Sequence, residues 1–262
     1  MKIAVSGKGG VGKTTLAAVL ARLYASDGKY VLAADVDPDA NLGSALGFSK
    51  EELEKLIPIS EMDELIAERT GSDRENFGKL FKLNPKVDDI PDRFSIEKNG
   101  VKLLIMGTVE TGGGGCVCPE HVILKRVISN LIVNRDEVVI LDMEAGLEHL
   151  GRGTTDFVDM LLVVIEPGER SIQTYNRVKK LAADIGVKNI KVVANKIRSE
   201  EDRKYLKGFI PEGDILGFIS YSEDVIAADR NGCSPYDTGP AVIDEIRFIK
   251  KQIDSTERNS DR

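Results

Sequence analysis

The sequence contains no tryptophan, two histidines and only three cysteines among 262 residues. Three thiols cannot build a disulfide framework, so we expect them to be reduced, as they are in a cytoplasm. No apolar run approaches the roughly 20 residues that a membrane-spanning helix needs. The first residues, MKIAVSGKGG, turn glycine-rich too early for a secretory signal. These absences predict a cytoplasmic protein with no membrane partner.

The charge balance argues against another class of partner. Acidic residues outnumber basic ones by 43 to 36, which gives a formal net charge of -7. A broad nucleic-acid-binding face requires a basic surface, so we expect no nucleic acid partner. Hydrophobic residues make up 42% of the chain, which is enough at this length to bury a substantial core.

Apolar runs alternate with helical patterns along most of the chain. Several runs are uninterrupted Val/Ile/Leu stretches, which are typical of strands buried on both faces of a parallel sheet. The alternation predicts an α/β fold, a doubly wound, mostly parallel sheet of about seven strands with helices on both faces. The predicted strands are 2–6, 30–35, 101–107, 137–142, 160–166, 190–195 and 214–219. The predicted helices are approximately 13–27, 118–134, 168–186, 222–231 and 240–254.

One segment breaks this alternation. Residues 48–98 are rich in charge and contain SKEELEKLIP and SEMDELIAERTG. We predict that they form helices and irregular structure in an insertion at one edge of a single domain, residues 1–262. The polar tail, 255–262, is expected to fray.

The segment 7-GKGGVGKTT-15 matches the phosphate-binding pattern G-x-x-x-x-G-K-[ST]. It follows the first predicted strand and opens the first helix, which is the placement that the motif requires. Glycines let backbone N–H groups surround phosphate oxygens, and the helix N-terminus adds partial positive charge. Lys13 is expected to reach the outer phosphates and the Thr14 hydroxyl to bind Mg²⁺. The pattern therefore predicts a P-loop NTPase.

A second lysine, Lys8, extends the motif to KGGVGKTT. This resembles the deviant Walker A motif of the family that includes the nitrogenase iron protein and the cell-division and chromosome-partitioning ATPases. The resemblance implies a homodimeric, Mg-dependent ATPase in which Lys8 reaches the partner's nucleotide. It also favours ATP, and the segment NKI lacks the aspartate of the guanine-reading N-K-x-D motif.

The same resemblance implies roles for residues further along the chain. The segment 35-DVDPDANLG-43 is similar to the family's switch I, in which Asp37 orients the attacking water and Asp39 and Asn41 lie near Mg²⁺ and the γ-phosphate. Asp142 ends an apolar strand as in a Walker B motif, and Asn195 stands where relatives bind adenine. The residues expected to be catalytic are Lys8, Lys13 and Asp37. Those expected to contact nucleotide or its Mg²⁺ are Gly9, Gly10, Val11, Gly12, Lys13, Thr14, Thr15, Asp39, Asn41, Asp142 and Asn195.

The segment 107-GTVETGGGGCVCPEH-121 carries two cysteines one residue apart. Cys116 and Cys118 can chelate a soft or borderline ion, but they supply two donors where Zn²⁺ or Ni²⁺ takes four. Because a two-fold dimer repeats each residue once, two such loops would supply four thiolates to one shared ion. Two ordinary reduced thiols beside a glycine-rich loop are the alternative. His121 is a weaker candidate ligand, and no role is assigned to Cys233.

Three classes of function fit a dimeric ATP switch. The acidic balance disfavours a partitioning or cell-division ATPase, and an iron–sulfur electron-transfer ATPase needs two well separated cysteines per chain. The C-x-C pair fits a metal-insertion chaperone better. Together, the motifs closely resemble the CooC-type nickel-insertion accessory ATPases of carbon monoxide dehydrogenase maturation. The resemblance implies Ni²⁺ or Zn²⁺ at the C-x-C site and carbon monoxide dehydrogenase as client, and leaves the roles of Glu144 and His149 open.

Overall fold

A sheet of eight strands runs through the part of the chain that the computed structural model describes, residues 1–37, 39–71, 81–107, 119–134, 137–144 and 158–260. Its strands are β1 (Lys2–Gly7), β2 (Val31–Asp35), β3 (Ile96–Lys98), β4 (Val101–Ile105), β5 (Val138–Asp142), β6 (Met160–Ile165), β7 (Ile190–Ile197) and β8 (Ile215–Ser220). Their order is β3-β4-β2-β5-β1-β6-β7-β8. All neighbours pair in parallel except β3 and β4, which are antiparallel.

Helices cover both faces of this sheet. They are α1 (Lys13–Ser26), α2 (Leu42–Leu46), α3 (Lys50–Leu53), α4 (Asp63–Thr70), α5 (Ile90–Phe94), α6 (Pro119–Asn134), α7 (Glu169–Ile185), α8 (Glu200–Lys207), α9 (Glu223–Arg230), α10 (Pro235–Thr238) and α11 (Pro240–Ser260). The last helix therefore continues beyond its predicted end at residue 254. None of the helices in the described ranges has the length and hydrophobicity to cross a bilayer.

The central strands are buried along their whole length, which is why they read as continuous apolar runs. Alternate side chains of β1 enter two separate cores, Ile3 and Val5 on the face of α1 and α11, and Ala4 on the face of α6 and α7. The predicted doubly wound α/β sheet is confirmed, with one more strand than expected. The extra strand is β3, which has three residues, none of them fully buried.

The chain reverses its direction of travel across the sheet at β1. After β1 it passes through α1 to β2 on one side, and β6 lies on the other side of β1. In open parallel sheets, ligands bind beside such a reversal, at the carboxyl ends of the strands. The phosphate loop follows β1 and lies at this point.

The segment predicted as an insertion packs against the end of β4 and contributes the edge strand β3. The Ser60 amide donates a hydrogen bond to the Met106 carbonyl at 3.0 Å. Gly107 has φ +70°, and a Cβ there would collide with Ser60 Oγ and Pro58. Only glycine fits this close approach. The segment therefore packs at the carboxyl ends of the parallel strands, where the phosphate loop also begins.

Candidate nucleotide site

The phosphate loop joins β1 to α1, and two of its glycines leave no space for a side chain. Gly7 and Gly12 have φ of +152° and +99°. A Cβ on Gly7 would meet the Val164 carbonyl, and a Cβ on Gly12 would meet the Asn195 amide. Helix α1 begins without a side-chain cap, so its first N–H groups are available as donors. Together with the helix dipole they form an anion site.

Lys13 lies within this loop and is only 6% exposed. Its Nζ is 3.3 Å from Oδ2 of Asp37, whose side chain is 15% exposed. The contact brings together two of the three residues predicted to be catalytic. Phosphate oxygens entering the loop would compete with the Asp37 carboxylate for the Lys13 ammonium.

Asp35 fixes the start of the switch segment that carries Asp37. Its Oδ1 accepts a hydrogen bond from the Asp37 amide at 3.2 Å, and its Oδ2 accepts one from the Leu42 amide at 2.8 Å. Burial raises the pKa of Asp35 to about 7, and the nearby Asp142 carboxylate adds to the shift. The sequence analysis did not single out Asp35, although it is the first aspartate of the D-x-D pattern at the end of an apolar strand.

Asp142 lies directly across from Asp35 in the register of β2 and β5. It is fully buried, and neither carboxylate oxygen has a hydrogen-bond partner of normal geometry among the described residues. Burial raises its pKa to about 6, a shift that the nearby Thr14 hydroxyl and Lys13 ammonium partly oppose. Hard cations take oxygen ligands, so this buried carboxylate beside a hydroxyl fits the Mg²⁺ that the motif implies.

A cleft of about 830 Å³ extends from the phosphate loop towards the connection between β8 and α9. Glu144, for which the sequence suggested no clear role, lines it together with Asp37. Val11 is fully buried and is not part of its wall. Ten of the predicted site residues line the cleft: Gly9, Gly10, Gly12, Lys13, Thr14, Thr15, Asp37, Asp39, Asn41 and Asn195.

The far wall of the cleft contains residues that the sequence analysis missed. Tyr221, Ser222 and Val225 line it, and Ser222 also caps α9 by accepting a hydrogen bond from the Val225 amide. The Arg198 guanidinium stacks on the Tyr221 ring, 3.6 Å from its centroid. An aromatic and apolar wall suits a flat heterocyclic base. The one sequence signal here is Ser222, a residue type that often caps a helix N-terminus, and a helix cap does not indicate a ligand.

Asn195 and the next residue contact the phosphate loop directly. Asn195 Nδ2 donates a hydrogen bond to the Val11 carbonyl at 2.7 Å, and its Oδ1 accepts one from the Lys196 amide at 2.8 Å. Lys196 Nζ donates to the Gly10 carbonyl at 2.6 Å. Asn195 therefore stands at the loop, while its contact with adenine stays a prediction.

The C-x-C pair, Cys116 and Cys118, lies outside the described residues, as does His149. Helix α6 begins directly after Cys118 and carries His121 in its first turn. Burial, with the nearby Lys125 ammonium, lowers the pKa of His121 and favours its neutral form. Cys233 is an exposed free thiol that lines the cleft.

Comparisons with known proteins agree with this geometry. Residues 2–235 match the model of the CobQ/CobB/MinD/ParA nucleotide binding domain. The carbon monoxide dehydrogenase accessory protein CooC of Rhodospirillum rubrum is 49% identical over 95% of this chain and 94% of its own length. An uncharacterized ATP-binding protein of Methanocaldococcus jannaschii is also 49% identical, over 97% of both chains.

Solved structures support the fold alone, because their identities are low. The Pyrococcus furiosus cell division ATPase MinD is 19% identical with a TM-score of 0.65, covering 98% of this chain and 100% of that one. A putative plasmid partition protein of Borrelia burgdorferi bound to AMPPNP is 19% identical with a TM-score of 0.68, covering 97% and 99%. The chain belongs to the CobQ/CobB/MinD/ParA family of P-loop ATPases, and within it to the relatives of the CooC accessory protein.

Proposed function

We propose that the protein is a dimeric, ATP-hydrolysing metallochaperone that assists nickel insertion into carbon monoxide dehydrogenase. The observation that carries the proposal is the 49% identity, over nearly the full length of both chains, to the Rhodospirillum rubrum accessory protein. Nickel or zinc is the cargo in this proposal. Carbon monoxide dehydrogenase is the client.

The cleft is suited to phosphoryl transfer from ATP to water. This reaction depends more on positioned charge than on covalent chemistry. Lys13 would hold the outer phosphates. When they take its ammonium, Asp37 is released from its 3.3 Å contact and can accept a hydrogen bond from the attacking water. Binding of substrate would thus prepare the group that orients the nucleophile.

Thr14 and Asp142 are the residues that would hold Mg²⁺, Thr14 through its hydroxyl and Asp142 through an intervening water. The bound ion would neutralise negative charge on the phosphates. Asp142 is fully buried, and its oxygens have no hydrogen-bond partner of normal geometry in the described part of the chain, which supports this assignment.

Lys8 would complete the site of a partner subunit. Among the described residues it has no ion pair or side-chain hydrogen bond, although Lys13 in the same loop has both a carboxylate partner and near-complete burial. A partially exposed, unpaired ammonium at a phosphate site can neutralise charge that develops during hydrolysis. In this proposal, hydrolysis requires two subunits.

Cys116 and Cys118 would bind the cargo ion together with the same pair from the partner subunit. The segment containing them starts after Gly107, at the end of β4, which runs parallel to the neighbouring β2. The carboxyl ends of parallel strands lie on the same side of a sheet. The segment therefore starts on the side where the phosphate loop follows β1. This placement supports a link between nucleotide state and the cargo site.

The proposal is tested by activating nickel-free carbon monoxide dehydrogenase with Ni²⁺ and ATP. We expect the protein to accelerate activation at low Ni²⁺, and Lys13→Ala and Cys116→Ser each to remove the effect. Cys233→Ser is the matched control and should retain it. Equal activation with and without the wild-type protein would refute the chaperone function.

A nucleotide switch without metal cargo is the second candidate, supported by the fold shared with MinD and plasmid partition proteins. It predicts ATP turnover that is unaffected by Cys116→Ser and no effect on the dehydrogenase. The activation assay therefore separates the two functions.

A further inference from the structure

Lys196, the lysine of the NKI segment, forms a bridge between the phosphate loop and a neighbouring strand. Its Nζ lies 2.6 Å from the Gly10 carbonyl oxygen and 3.1 Å from Oε2 of Glu166. Glu166 directly follows β6, and its own amide donates to the buried Ser171 hydroxyl at 3.3 Å. The chain of contacts therefore joins the loop to the start of α7.

The backbone of Lys196 is in an unfavourable conformation that makes this bridge achievable. Its φ is +58°, in the left-handed region, which is unfavourable for a residue with a side chain. The β7–β8 pairing is irregular at the same place, between Ala194 and Ile197. Consecutive side chains of a regular strand point to opposite faces. The left-handed residue lets Asn195 and Lys196 both contact the phosphate loop.

The two residues hold different parts of the loop. Asn195 holds the Val11 carbonyl, next to Gly12 and the helical turn that receives phosphates. Lys196 holds the Gly10 carbonyl, on the side of the loop that carries Lys8. The Val11 amide in turn donates to the Lys8 carbonyl at 3.3 Å. Fixing the Gly10 carbonyl therefore restricts the loop backbone at Lys8 and, with it, the direction of the Lys8 side chain.

We propose that Lys196 is a positioning residue for ATP hydrolysis, which fixes the Lys8–Gly10 side of the phosphate loop while Glu166 orients its ammonium. The inference rests on the proposed ATPase function and adds two residues to its machinery. Lys196 also lines the nucleotide cleft, and in this proposal it acts through its hydrogen bond to the loop backbone. Its loss should therefore slow turnover more than it weakens nucleotide binding.

The test compares steady-state ATP hydrolysis and ADP affinity in Lys196→Met, Lys196→Arg and Lys196→Gly. Lys196→Met should lower kcat about ten-fold, because the ammonium contacts to the Gly10 carbonyl and to Glu166 are both lost. The KM for ATP and the Kd for ADP should change less than two-fold. Lys196→Arg should recover most of the rate, because a guanidinium can also bridge a carboxylate and a carbonyl.

Lys196→Gly separates positioning from a structural role. Glycine accepts the left-handed conformation without strain, so the melting temperature should stay equal or rise while kcat falls as in Lys196→Met. The matched control is Lys191→Met on the same strand, since Lys191 Nζ donates to the Gly213 carbonyl at 2.7 Å, away from the loop. Its kcat should stay at the wild-type value.

Amide hydrogen exchange reports on the loop without any need for turnover. Lys196→Met should speed exchange of the Gly9 and Gly10 amides, and Lys191→Met should not. If the wild type fails to hydrolyse ATP, the proposed function is wrong. The exchange measurement still shows whether Lys196 restrains the phosphate loop. The inference is overturned by wild-type kcat in Lys196→Met, by a ten-fold rise in KM with kcat unchanged, or by unchanged loop exchange.

Discussion

We expect the ion pair between Lys13 and Asp37 to affect nucleotide entry at the level of single residues. The two groups are 3.3 Å apart and largely buried, so their attraction offsets part of the cost of removing both charges from water. In the proposed function, an incoming phosphate would replace Asp37 as an anionic partner of Lys13. Removing either partner should then have unequal consequences, because Lys13 would hold the phosphates and Asp37 would not.

Asp37→Ala should keep nucleotide binding, with equal or tighter Kd for ADP, and lose most ATP turnover. The Lys13 ammonium no longer has a competing carboxylate, while the attacking water loses its acceptor. Isothermal titration with ADP and a phosphate-release assay measure the two effects. Lys13→Ala is the control and should lose binding and turnover together. A wild-type rate in Asp37→Ala would contradict the assignment of Asp37.

The raised pKa of Asp35 predicts that protein stripped of divalent ions is more stable at pH 6 than at pH 8. The folded-state pKa of about 7 exceeds the unfolded value near 3.8, so the stabilisation is fully present only below the unfolded pKa and is lost as pH rises through 7. The charged groups that act on the pKa of Asp35 are the carboxylates of Asp142 and Asp37, and both raise it. The gain between pH 8 and pH 6 is on the order of 1 kcal/mol for one such carboxyl.

Asp35→Asn isolates this effect, because the amide oxygen can still accept a backbone hydrogen bond. Denaturant unfolding at the two pH values should show a smaller difference in the variant than in the wild type. An identical pH dependence in both proteins would show that Asp35 is not the group responsible.

At the level of elements, the buried parallel strands could be predicted from the sequence. The edge strand β3 and the left-handed turn at Lys196 could not. β1, β2 and β5 are continuous apolar runs because both faces are covered. β3 is short and partly exposed, so its residues carry no comparable pattern. The left-handed turn at Lys196 has no sequence signal, since lysine does not favour that conformation.

The candidate site divides in the same way. The phosphate loop, Asp37 and Asp142 could be predicted as candidates because each lies at or just after the end of an apolar strand, in a motif with a physical reason. The Asp35–Asp142 pair depends on the register of two strands far apart in sequence, which a linear pattern does not reveal. Tyr221 and Val225 lie in the connection from β8 to α9 and in the first turn of α9, and neither residue belongs to a motif that predicts a ligand.

The loop element makes a sharp prediction about two glycines. Gly12→Ala should abolish nucleotide binding, because φ is +99° and the new methyl group would collide with the Asn195 amide. Gly213→Ala is the control, since a Cβ there meets nothing within 4 Å and the residue does not line the cleft. ADP titration and thermal unfolding should show near wild-type behaviour for Gly213→Ala. Equal loss of binding in both variants would argue that the steric account of the loop is wrong.

At the scale of the whole molecule, the proposed function connects a nucleotide site, a dimer and a cargo ion. Four thiolates from two chains around one ion would make metal binding and dimerisation a single linked equilibrium, so each should strengthen the other. The thiolate is the form that binds metal, so affinity should fall as pH is lowered. The phosphate loop uses different residues, so the thiol variants should still bind nucleotide.

The shared thiolate site is tested by equilibrium dialysis of Ni²⁺ combined with sedimentation of the same samples. We expect half an ion per chain, held by dimers that form without nucleotide. Cys116→Ser and Cys118→Ser should each abolish both the binding and the dimer, and Cys233→Ser should change neither. One ion per chain on a monomer, or half an ion per chain with unchanged affinity in either single variant, would contradict the shared four-thiolate site.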